Sequence, residues 1–74
     1  MKNYKTIEIK NENRIGVISL NRPQVMNAIN EEMVNEVTKA MRQMNDDENI
    51  ACIILKGNGR CFSAGFDMKE TSQK

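Results

Sequence analysis

Histidine and tryptophan are absent from this 74-residue chain, and it has one proline, one tyrosine and two phenylalanines. Without histidine there is no imidazole for acid/base work, no Ser-His relay and no His-rich metal site, so no metal is expected. The few aromatics offer little for stacking on bases. The 11 basic and 10 acidic residues are scattered to a net charge of +1, with no basic stripe, which argues against nucleic-acid binding. The longest apolar run, Ile50 to Leu55, is six residues, far short of a membrane span. Met1 and Lys2 are not followed by an apolar segment, so no secretory signal is expected. Cys52 and Cys61 then read as reduced thiols, and a cytoplasmic location follows as the expectation.

What is present amounts to a single small domain over residues 1–74. A chain of roughly 60 residues buries only ~60% of the surface its unfolded form exposes, which leaves stability marginal. Domains this small usually need a disulfide, a metal or a partner subunit. With no metal and no disulfide expected, a homo-oligomer is the remaining device.

Local patterns give the elements. Residues 4–10 are rich in β-formers and loosely alternating, Asn11-Glu12-Asn13 is turn chemistry, and residues 15–20 read as a second strand, so a β-hairpin is expected. Pro23 breaks the pattern. Asn30 is an N-cap candidate with Glu31 and Glu32 at the positive end of the helix dipole. Met33, Val34, Val37, Ala40, Met41 and Met44 then form one apolar face at helical period, with Asn35, Glu36, Lys39, Arg42 and Gln43 opposite as a solvated face. Met at core spacing reads as core. The run 50–55 has the pattern of a strand buried on both faces, with Cys52 as a small buried hydrophobe. Gly57-Asn58-Gly59 is a turn, lacking the spacing of a phosphate loop. Cys61 to Gly65 reads as extended, and Asp67 with Glu70 has the spacing of a capping box that opens a further helix.

Two segments are more specific than this pattern. The first is Ser19-Leu20-Asn21-Arg22-Pro23, followed by Met26-Asn27-Ala28-Ile29. The second is Ile53-Ile54-Leu55-Lys56-Gly57, then Gly59-Arg60-Cys61-Phe62-Ser63-Ala64-Gly65-Phe66-Asp67. In wording, order and separation by one amphipathic helix they resemble the crotonase superfamily, the enoyl-CoA hydratase/isomerase-like proteins that act on acyl-CoA thioesters. The resemblance covers nearly all of the chain and implies an α/β fold: β-hairpin, crossover helix and third strand, the first ββα unit of a crotonase-like spiral. It also implies that residues 1–74 are a truncated, N-terminal portion of such a domain.

By resemblance, the residue after the glycine of the second segment, Phe66, gives its backbone N–H to an oxyanion hole, with Gly65 allowing close approach. The physical reason stands apart from the family. A thioester carbonyl turns enolate-like as its neighbouring carbon reacts, and a fixed N–H aimed at that oxygen stabilises the developing charge. The resemblance further implies that Ala64, Phe66, Asp67, Met68 and Lys69 line the channel for coenzyme A and its thioester, and that Ala28 flanks the pantetheine arm. No cofactor is implied beyond coenzyme A as part of the substrate, and the partner would be an acyl-CoA or CoA. The family's second oxyanion donor and its acid/base carboxylates belong to segments absent from these residues, so the chain is expected to be inactive alone. Two other classes stay open: a non-catalytic module binding CoA, and a self-associating structural module.

Overall fold

The computed structural model describes residues 4–66, which form a three-stranded mixed sheet with one helix across it. The strands are β1 (Ile7–Glu12), β2 (Ile15–Leu20) and β3 (Cys52–Gly57), in the order β1-β2-β3. β1 and β2 are antiparallel, paired from Ile7↔Leu20 to Glu12↔Ile15. The hairpin turn is therefore Asn13-Arg14, not the expected residues 11–13, and both have left-handed φ, 51° and 67°. Two left-handed residues in a two-residue loop match the strand twist. Asn13 suits that conformation. Arg14 does not by itself, but its carbonyl is tied down by the Ala51 N–H at 2.7 Å.

Helix α1 (Glu31–Asn45) links β2 to the parallel strand β3. It starts as its sequence requires: the Asn30 side chain accepts from the Met33 N–H at 2.9 Å, with Glu31 and Glu32 in the first turn. Met33, Ala40 and Met44 are buried against Ile7, Ile18 and Leu20, with Val37 packed at the edge of this core. The buried stripe is narrower than the expected apolar face, since Val34 and Met41 stay 46% and 42% exposed. A three-stranded sheet is too narrow to cover both flanks of the helix.

The same shortage corrects the reading of the third strand. Among the described residues β3 pairs only with β2, from Ile15↔Cys52 to Leu20↔Gly57, and α1 lies over one sheet face. Cys52 is thus exposed rather than buried, and Ile54 and Leu55 are 43% and 42% exposed. The Asp67–Glu70 capping box lies outside the described residues. Among the described residues no helix is long and apolar enough to cross a membrane.

Glu36, expected on the solvated face, turns toward the chain before β1. Its carboxylate accepts from the Lys5 N–H at 3.0 and 3.1 Å, the Thr6 N–H at 2.8 Å and the Thr6 hydroxyl at 2.7 Å. Partial burial pushes its pKa up. The Lys5 and Thr6 hydrogen bonds and the Lys5 charge outweigh that and hold it below its ordinary 4.5. A depressed carboxylate pKa means stability that is complete above 4.5 and is lost as pH falls through the lower folded value. Glu36→Ala leaves the Thr6 donors unpaired in a residue only 4% exposed, and is expected to cost about 1–3 kcal/mol at neutral pH. Urea midpoints at neutral pH and well below the lowered folded value should show the gap between variant and parent narrowing in acid. A constant gap across pH contradicts the assignment.

Candidate functional site

Beyond the carboxyl end of β2 the chain makes a tight loop. Pro23–Val25 is one 3₁₀ turn, as the fixed φ of proline favours, and Met26 and Asn27 follow with left-handed φ of 53° and 55°. Beyond β3, residues 58–66 form a second loop lying against the first. Asn58 N–H donates to Leu20 O at 2.8 Å, which seats the second loop on the end of β2.

Asn27 joins the two loops. It is 0% exposed, and its Oδ1 accepts from the Arg22 N–H at 2.7 Å. Its Nδ2 donates to Asn58 O at 2.7 Å and Cys61 O at 3.0 Å. The Asn27 carbonyl accepts from the Ser63 hydroxyl at 2.9 Å, and Ser63 Oγ accepts from the Gly65 N–H at 3.0 Å. Further along, Ala64 N–H donates to Met26 O and Ile29 N–H to Gly65 O, each at 2.8 Å, forming a parallel bridge between Ile29 and Phe66.

This bridge sets the direction of one donor. The Gly65 C=O and the Phe66 N–H belong to the same peptide unit, which is trans, so they point opposite ways. With the carbonyl fixed on Ile29, the Phe66 N–H points away from the first loop, and it has no acceptor among the described residues. Gly65 holds a φ of +100°, and among the described residues no atom lies within 4 Å of where its Cβ would be. The result is a backbone N–H whose direction is set by its own peptide and which is left without an acceptor among the described residues.

The residues read from the sequence fall into three groups. Gly65 and Phe66 form the donor peptide itself. Ala28 is brought beside them by the Ile29–Phe66 bridge; it is half-buried, and its carbonyl accepts from Arg22 Nη1 at 2.6 Å. Ala64 is exposed, with its N–H engaged by the Met26 carbonyl. Asp67, Met68 and Lys69 lie outside the described residues. Cys61 to Gly65 is not a free extended run but a bent loop pinned to its neighbour. Asn27 and Ser63 lie within the two motif segments, but nothing in their local sequence assigns them a role. The available signal for Asn27 was a residue tolerant of left-handed φ just after a proline turn. Among the described residues no group of three His, Cys, Asp or Glu could hold a metal ion. An open trough of about 780 Å³ lies on the sheet, lined by Glu8, Lys10, Ser19 and Lys56, and none of its lining comes from residues 61–66.

A hairpin, crossover helix and parallel strand ending in a glycine-pinned backbone donor define a crotonase-type α/β unit. The chain belongs to the enoyl-CoA hydratase/isomerase family, whose profile matches residues 10–74. It is 46% identical over 67 residues to a probable enoyl-CoA hydratase, echA8, of Mycobacterium bovis, covering 90% of this chain and 26% of that protein. It is 39% identical over 64 residues to the small ribosomal subunit protein mS47 of Schizosaccharomyces pombe, covering 86% of this chain and 15% of that one. Among solved structures, an enoyl-CoA hydratase subunit I from Geobacillus kaustophilus superposes with a TM-score of 0.95 at 34% identity, covering 99% of this chain and 28% of the other. The chain thus spans about a quarter of the length of the enoyl-CoA hydratases it resembles.

Proposed function

We propose that this chain supplies the first half of an acyl-CoA thioester site, with the Phe66 N–H as one donor of an oxyanion hole. The observation that carries this reading is the Gly65–Phe66 peptide, whose carbonyl is tied to Ile29 so that its N–H points away from the first loop, with no acceptor among the described residues. Ala28 and Ala64 flank that peptide, and Asp67, Met68 and Lys69 continue from it along the coenzyme A chain. Coenzyme A arrives as part of the substrate, no resident cofactor takes part, and the setting is cytoplasmic. A chain limited to these 74 residues binds but does not turn over its ligand. It associates with further copies, which cover the exposed Ile54 and Leu55 of the edge strand.

Chemically, the donor acts on a thioester carbonyl oxygen. Hydrogen bonding there stabilises the enolate-like form reached when the α-carbon is deprotonated or the β-carbon of an enoyl thioester is attacked. Hydration and isomerisation of acyl-CoA pass through such an enolate, and hydrolysis passes through a tetrahedral oxyanion on the same carbonyl oxygen, so the donor serves the family's chemistry without selecting among its reactions. The ribosomal relative supports a second reading, a module that keeps the fold in a structural role.

The two readings separate on paired substitutions. Gly65→Val places a branched side chain at φ +100°, beside the donor and in the open space the ligand would take. Isothermal titration should show binding of crotonyl-CoA abolished by Gly65→Val and changed only a few-fold by Phe66→Ala, whose backbone donor is intact. Equal behaviour of Gly65→Val and the parent would reduce the turn to a connector and favour the structural reading.

A further inference from the structure

We propose that Asn27 is the positioning residue of this site: its buried amide sets the direction of the Phe66 N–H by locking the two loops together. The inference rests on the reading of that N–H as the thioester donor, but its own content is geometric. Asn27 touches neither the donor peptide nor the open space beside it. It acts through Ser63 and Gly65.

Every polar group of the Asn27 side chain is engaged. Its two Nδ2 hydrogens serve Asn58 O and Cys61 O at 2.7 and 3.0 Å, and Oδ1 takes the Arg22 N–H at 2.7 Å. Two carbonyls on one side and an N–H on the other allow only one orientation of the amide. The left-handed φ of 55° turns the Asn27 carbonyl toward Ser63, whose hydroxyl donates to it at 2.9 Å. That same hydroxyl accepts from the Gly65 N–H at 3.0 Å, while the Gly65 carbonyl accepts from Ile29 at 2.8 Å. The residue carrying the donor is therefore tethered from both ends of Gly65, and both tethers originate in the first loop. The hydrophobic core of Ile7, Ile18, Leu20, Met33, Ala40 and Met44 lies under the helix; it includes none of Asn27, Ser63 and Gly65, and of the tether only Ile29 packs against it. Loosening the amide should release residues 58–65 while the sheet and helix remain.

Asn27→Asp is the sharpest variant because it keeps the shape and replaces two donors with an oxygen facing two carbonyl oxygens. Ser63→Ala is the second, cutting the relay without altering the buried amide, and Ile18→Val is the control, weakening the core away from both loops. Residual dipolar couplings of the Phe66 N–H in the free chain report its direction, and titration with crotonyl-CoA reports its use. The expected result is a reoriented Phe66 N–H in Asn27→Asp and Ser63→Ala, with crotonyl-CoA affinity down about tenfold, the equivalent of one net hydrogen bond. Ile18→Val should leave both unchanged in the folded chain. If Asn27→Asp does not fold, Ser63→Ala carries the same comparison. An unmoved Phe66 N–H in folded Asn27→Asp, or in Ser63→Ala where that variant stands alone, overturns the positioning role. A reoriented N–H with crotonyl-CoA binding no different from the parent upholds the positioning and overturns the thioester reading instead.

Discussion

Gly57→Ala is expected to destabilise the chain by about 3 kcal/mol or more, the upper end for overpacking. A Cβ on Gly57 would collide with the Phe62 backbone, at 2.6 Å from its Cα and 2.8 Å from its carbonyl carbon, with the carbonyl oxygen closer still. A flexible side chain could swing aside. Backbone cannot, and here it belongs to the loop that Asn27 holds through Asn58 and Cys61. Relief would mean lifting residues 61–66 from the end of β3 and breaking the pairing of Ile29 with Phe66. Net stabilities run at about 0.05–0.15 kcal/mol per residue, so roughly 4–11 kcal/mol is all a chain of this length can hold. Urea unfolding followed by circular dichroism measures the loss. A midpoint equal to the parent's would mean that the Phe62 backbone does not rest on Gly57, and the close apposition of loop and strand would fall with it.

A preparation of these 74 residues is expected to hydrate crotonyl-CoA no faster than buffer. The proposed site has one backbone donor, and the second donor and the acid/base carboxylates belong, by the family resemblance, to segments these residues do not include. Loss of one oxyanion donor costs about 10²–10³ in kcat. Loss of positioned acid/base groups removes about 10²–10⁴ more. Association of copies cannot supply a segment that none of them contains. The measurement is the decay of the conjugated-thioester absorbance with protein in excess, on a sample whose oligomeric state is read by sedimentation. Turnover above buffer that is lost in Gly65→Val would overturn the prediction and turn attention to carboxylates such as Glu31 and Glu32. A folded monomer at micromolar concentration would remove self-association from the reading.

Several elements were legible because their cause is local. The Asn30 cap followed by two glutamates, and apolar positions at helical spacing, place α1 from residue 31 whatever surrounds it. Strand β2 ran over residues 15–20 as expected, since it is the central strand and its composition matches its burial. The family was also readable, because the wording around Gly65 occurs in a recognisable segment.

Strand β3 shows where local reading stops. Its apolar run suits burial on both faces, but how much is covered depends on what lies alongside, and here β3 is an edge strand with Cys52 exposed. Glu36 is the same case in reverse: at helical spacing it belongs to the polar face, and only the fold brings the Lys5 and Thr6 donors to it.

What the sequence determined by itself was the kind of element at each place and the family to which its motifs point, because propensity, capping and wording act over a few neighbouring residues. What only the tertiary structure decided was which groups meet across the chain. Asn27 lies 31 positions from Asn58 and 34 from Cys61, so no local pattern announces their hydrogen bonds. Nor could the sequence alone aim the Phe66 N–H. Its direction follows from a trans peptide whose opposite end is held by Ile29, and that hold exists only once β2 and β3 have paired and brought their loops together.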